Sequence, residues 1–164
     1  MFAIIEKQSN HHVAKFKRPL PHPVDTVWAA ITKNENLQKW MGNLEIIELG
    51  KNRKIHFNMN DGTDAYEEIA ITDYAEQEIL EFDWAADTVR FELSSTENGS
   101  LLLLVETMRE LTAHTPKDLA GWHVCLDLLA DLLNGIEHTD FPMENWQQCF
   151  NEYQKRIDTV EKFS

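Results

Sequence analysis

Apolar and polar residues alternate along most of the middle of this chain, and at both ends they change to helical spacing. Residues 13–20 alternate well enough for a first strand, which Pro19, Pro21 and Pro23 then end. A helix is expected from about Pro23. Val24, Val27, Trp28 and Ile31 keep the spacing of one buried face, and proline is tolerated in a first turn because its missing N–H would have no intrahelical partner. Asn34 can cap a second, shorter helix through Leu37, Trp40 and Met41, closed by Gly42.

Between residues 44 and 110 the runs become short and alternate, broken by Gly50-Lys-Asn, Asp61-Gly62, Ala85-Ala-Asp87 and Asn98-Gly99. This is the pattern of an antiparallel meander. Its apolar face reads Ile55, Phe57, Met59, Ile69, Ile71, Leu80, Phe82, Trp84, Val89, Phe91 and Leu93, with polar residues, Arg90 and Glu92 among them, turned outward. The run 101–105 is apolar on both faces, which suits a strand covered outside or lying inside the sheet. Asn98-Gly99-Ser100 matches a glycosylation sequon, but the pair is better read as a type I′ hairpin turn.

A long helix is expected over 116–134, terminated by Gly135. His123, Asp127, Asp131 and Asn134 form its narrow polar stripe, read as a solvated face, leaving the rest to lie on the sheet. Trp146, Phe150, Tyr153, Ile157 and Val160 mark a final amphipathic helix over 143–162. With 164 residues and 43% hydrophobic content, the chain suits one domain, its first ten residues a mobile terminus.

Charge narrows the partners. Fifteen basic against 28 acidic residues give a formal charge of −13, which repels phosphate backbones and anionic headgroups, so neither nucleic acid nor a membrane surface is expected. No apolar run approaches a membrane span and the first residues lack a signal-peptide pattern, which points to a cytoplasmic address. Cys125 and Cys149 lie in helical, apolar sequence without ligand spacing and read as buried thiols. The histidines are scattered, and no nucleophile elbow, HExxH, phosphate loop or dinucleotide-binding pattern occurs. No metal, cofactor or catalytic residue is assigned.

Three tryptophan-bearing segments frame the strands: His22-Pro-Val-Asp-Thr-Val-Trp28, Leu37-Gln-Lys-Trp40 and Gly121-Trp122-His123-Val-Cys-Leu126-Asp127, with Trp146 and Tyr153 behind them. In these motifs and in the order of its elements the chain resembles the START-like (SRPBCC) superfamily, and within it the single-domain bacterial relatives of the activator of the heat-shock-protein-90 ATPase. The resemblance implies an α+β helix-grip fold: a curved antiparallel sheet of six or seven strands wrapped around the long helix, with two short helices after the first strand. It also implies a chamber for a small lipophilic or aromatic molecule, with a chaperone-linked interaction module as the alternative and a cyclase- or hydrolase-like enzyme behind both.

The residues suited to contact such a ligand are Phe57, Met59, Ile69, Ile71, Phe82, Trp84 and Phe91 on the sheet and Trp122, Leu126 and Leu129 on the helix. For any one of them the plainer reading is core packing. Trp28 and Trp40 are read as scaffold. Glu106, Arg109 and His123 are the candidate polar anchors, and an inward Glu106 or Arg109 would need a mate or a polar ligand group, since a lone buried charge is costly.

Overall fold

The computed structural model describes residues 1–162. Its elements run β1 (Ile4–Lys7), β2 (His12–Leu20), α1 (Val24–Thr32), α2 (Asn34–Trp40), β3 (Leu44–Ile46), β4 (Lys54–Asn58), β5 (Tyr66–Ala75), β6 (Ile79–Trp84), β7 (Asp87–Thr96), β8 (Gly99–Met108), α3 (Thr115–Leu133) and α4 (Met143–Lys162). The strands make one antiparallel sheet in the order β1-β2-β8-β7-β6-β5-β4-β3. Consecutive hairpins build the β3 to β8 stretch, and the pairing of β2 with β8 joins the first long strand to the last. This is the helix-grip arrangement, and β8, apolar on both faces, lies inside the sheet as its sequence required.

Eight strands replace the six or seven expected, because both edges carry short ones. The segment read as a mobile terminus supplies β1, which pairs with β2 from Ile4 opposite Lys15 to Lys7 opposite His12. Four residues are too few to show alternation, so this strand was hidden in the sequence. The hairpin between β7 and β8 forms, but its corner is Glu97-Asn98, with Thr96 opposite Gly99. Asn98 is not among the residues with positive φ, so the expected type I′ turn on Asn98-Gly99 is not what closes it.

The short helices follow their patterns closely. Val27, Trp28, Ala30 and Ile31 of α1 are buried, and the Trp40 indole N–H donates to the carbonyl of Ala30 at 2.8 Å, locking α2 against α1. Both tryptophans are scaffold. Met41, rather than Gly42, caps α2. At the end of α3, Gly135 takes φ of +82° while the Ile136 N–H returns to Asp131, a closure of the Schellman kind. On the outer face of the sheet, Arg90 donates to Asp73, Glu81 and Glu92 at 2.9, 3.1 and 2.7 Å, so its outward position is as expected.

The helix α4 changes the surroundings of α3. It buries Cys149, Tyr153 and Ile157 against α3 and touches β1, so part of the expected solvated stripe is covered. His123 retains only 5% of its exposure, whereas the Asp127 side chain keeps 52%. Amphipathicity read from one helix cannot show that a later helix will lie on its polar face. Both cysteines are free and buried. No helix among the described residues is long and apolar enough to cross a membrane.

Candidate functional site

Strand register decides which side chains meet α3. Phe82 of β6 stands opposite Val89 of β7, which stands opposite Glu106 of β8, and the alternate positions Leu102, Leu104, Glu106 and Met108 all turn inward. Glu106 therefore points at α3 from the interior of the sheet. Phe57, Phe82, Trp84, Phe91 and Trp122 come together in one ring cluster: Trp84 lies 5.1 Å from Trp122 and 5.7 Å from Phe57, and Phe91 lies 6.0 Å from Trp122. Ile69 and Ile71 are buried beside them, and Met59 sits half-buried just past the end of β4. The sheet residues and Trp122 fill the middle of the grip with their own rings, and open space is found toward the two ends of α3.

At the amino-terminal end of α3, where the β6–β7 turn and the end of β8 part from the helix, lies a cavity of about 330 Å³. Ala86, Asp87, Glu106, Met108, Thr115 and Asp118 contribute to its wall, with Arg109 and His114 toward the rim. Glu106 is fully buried and neither of its carboxyl oxygens receives a hydrogen bond from the protein. Its closest electrostatic neighbours are other carboxyl groups, Asp118 and then Asp87. Burial first, then a carboxyl–carboxyl hydrogen-bonding interaction with Asp118 and the charges of Asp118 and Asp87, raise the Glu106 carboxyl well above the ordinary range and favour its neutral form. Asp118 is held from the other side by the indole N–H of Trp84, which donates to Oδ1 at 2.9 Å. The indole N–H of Trp122, one turn along from Asp118, is buried without an acceptor.

A neutral carboxyl group in apolar surroundings can both donate and accept a hydrogen bond, and it ionises readily against a cation. Glu106, whose facing the apolar run before it leaves open in the sequence, is thus inward and without the protein donor that would satisfy it. The other expected anchors behave differently. Arg109 is exposed at the cavity rim. His123 faces α4 instead of the ring cluster: its Nδ1 lies 2.8 Å from the Tyr153 hydroxyl and its Nε2 3.6 Å from Asp127. Burial pushes its imidazole down to about 4, leaving it neutral. Cys125, whose thiol burial raises to about 12, donates to the Met41 sulfur and is unreactive.

Leu126 and Leu129, farther along α3, line a separate apolar cavity of about 200 Å³ together with Leu20, Leu102 and Arg18. Sequence reasoning missed Arg18 and Asp118. Both left a trace: Arg18 occupies an inward place in the series Ala14, Phe16, Arg18, Leu20, and Asp118 precedes Trp122 by one helical turn. Among the described residues no group of three or more His, Cys, Asp or Glu is arranged to hold a metal ion.

Residues 21–134 match the family model described as Activator of Hsp90 ATPase homolog 1-like protein. No curated protein matches the chain. Among solved structures, it is similar to a conserved protein of unknown function from Enterococcus faecalis, at 26% identity and a TM-score of 0.81 over 96% of this chain and 91% of that one. It is also similar in fold to CalU16 from Micromonospora echinospora, at 17% identity and a TM-score of 0.72 over 95% and 96% of the two chains. A Bordetella parapertussis protein shares 22% identity and a TM-score of 0.68 over 92% of this chain and 88% of its own.

Proposed function

The chain belongs to the family of Activator of Hsp90 ATPase homolog 1-like proteins, and from that premise we propose that it binds a small lipophilic molecule between the sheet and α3, with a polar group of the ligand on Glu106. The observation that carries this reading is the fully buried Glu106 carboxyl with no hydrogen-bond donor from the protein, set in the wall of a cavity. Leaving such a group unsatisfied costs about 1–3 kcal/mol, and a ligand hydroxyl, carbonyl or amine removes that cost on binding. The rest of the affinity comes from apolar burial against Ala86 and Met108 of the cavity wall, while Trp84 holds Asp118 of that wall through its indole N–H. At ~25 cal/mol per Å², a few hundred Å² of ligand surface suffices for micromolar affinity once ordering costs are subtracted. We assign the activity to the cytoplasm on the acid-rich composition and the two reduced, buried thiols.

The test is a thermal-shift titration against a panel of lipids, flavonoids and polyketide-like aromatics, since a compound that prefers the native state raises the melting point with its concentration. A hit should weaken about tenfold or more in Glu106→Leu, weaken in Trp84→Ala, and largely survive in Glu106→Gln, which keeps a donor and an acceptor. Equal binding by the Glu106→Leu variant would remove the anchor. A panel without any concentration-dependent shift would overturn the proposal in favour of a protein-interaction module.

A further inference from the structure

The cavity farther along α3 differs in chemistry from the one at Glu106. Besides Met1 and Pro19, its walls are Leu20 and Leu102 from the sheet and Leu126, Leu129 and Ala130 from the helix, and the one charged side chain among its lining residues is Arg18. Arg18 is an inward residue of β2 with 12% of its side chain exposed. Its Nη1 is taken by Asp127, at 2.5 Å from Oδ1. Its Nε and Nη2 are both buried and have no acceptor.

Those two nitrogens lie on the same edge of the planar guanidinium. Their N–H groups form the parallel fork that matches the two oxygens of a carboxylate. A desolvated arginine with this edge unpaired is costly, and Asp127, half in solvent on the other side, does not satisfy it. The surrounding leucines and alanine require the remainder of any occupant to be hydrocarbon. At about 200 Å³ the space is smaller than the roughly 300–1,000 Å³ of drug-sized sites, which restricts the hydrocarbon to a short chain. The formal charge of −13 opposes the approach of any anion, so burial of the tail has to contribute much of the affinity.

We infer that this cavity binds a short aliphatic carboxylate, its two oxygens on the Nε–Nη2 edge of Arg18 and its tail among Leu20, Leu102, Leu126 and Leu129. The site is independent of the Glu106 cavity, lies partly outside the family-matched stretch, and selects the opposite polarity of ligand.

Isothermal titration of the full chain with octanoate, and with 1-octanol as the same tail without the charge, tests the inference. Octanoate should bind about tenfold or more tightly than octanol, the value of one charge-assisted pair. Arg18→Gln should bring octanoate down to the level of octanol while leaving octanol unchanged. Asp127→Asn should tighten octanoate severalfold, because it removes the competing carboxylate, and this variant decides the matter if Arg18→Gln does not fold. Glu106→Gln should leave octanoate binding unaltered, which keeps the two sites distinguishable. Equal affinity for octanoate and octanol, no binding of either, unchanged octanoate binding in a folded Arg18→Gln protein, or no gain in Asp127→Asn would each overturn it.

Discussion

The Tyr153 hydroxyl meets Nδ1 of His123 at 2.8 Å, across the contact between α4 and α3. The same hydroxyl accepts the amide N–H of Ala3 at 2.9 Å, so its own proton is free to go to the imidazole. That fixes the neutral tautomer of His123 with its N–H on Nε2, toward Asp127 at 3.6 Å. Phe2 packs on both rings, 4.7 Å from His123 and 5.4 Å from Tyr153, with the Arg156 guanidinium 4.9 Å from its own centroid. One hydroxyl thus joins the residue just before β1, the long helix and the last helix.

Tyr153→Phe should cost about 2–4 kcal/mol, since it strands two buried groups, the Ala3 N–H and His123 Nδ1, at about 1–3 kcal/mol each. Urea unfolding checks this through the shift in midpoint at constant slope. A loss below half a kcal/mol would mean that water replaces the hydroxyl.

His123 should make the protein acid-sensitive. Burial lowers its imidazole from 6.5 to about 4, with Asp127 opposing and Arg18 and Arg156 reinforcing the shift. The unfolded chain therefore takes up the proton first, and the stabilisation is complete above about pH 6.5 and drains away as pH falls toward 4. Urea midpoints between pH 7 and 4 should fall more steeply for the native protein than for His123→Gln.

Glu106 acts with the opposite sign. Its carboxyl titrates near 4.5 when unfolded and well above that when folded, so the folded state holds the proton more tightly. Its contribution is complete below pH 4.5 and is lost as pH rises through the folded value. Glu106→Gln, a neutral group of the same shape, should be increasingly more stable than the native protein between pH 5 and 8, read as a widening gap in melting temperature.

Gly99→Ala should cost at least about 2 kcal/mol or prevent folding. The position has φ of +147°, and a Cβ there would stand 2.3 Å from the Leu20 carbonyl oxygen and 2.7 Å from the His22 nitrogen, both backbone atoms that cannot swing away. Thermal denaturation of the variant measures the effect.

The fold was readable because the strands of the meander before β8 have one dry face, so alternation named their inward residues before any register was known. Helical spacing did the same for α4, whose expected bounds 143–162 match the observed Met143–Lys162. The site was less readable, for reasons that trace to particular residues. Glu106 follows five apolar residues, and only the pairing of Val89 with Glu106 shows which way it faces. His123 was assigned to solvent because nothing within α3 reveals that Tyr153 will lie on it. Arg18 breaks an inward apolar series by one residue, a signal that is easily taken for noise on a first strand.

The bond between Ala3 and Tyr153 spans 150 residues of chain, and β2 has no partner on its β8 side until residues 99–108 exist. At about 5–20 residues per second of synthesis, the beginning of the chain waits roughly 8 to 30 s for the helix that fastens it. Until β8 has emerged, the first hairpin therefore stands as an open, pairing-competent edge on the ribosome, and the chain is most exposed to misassembly while it is still being made.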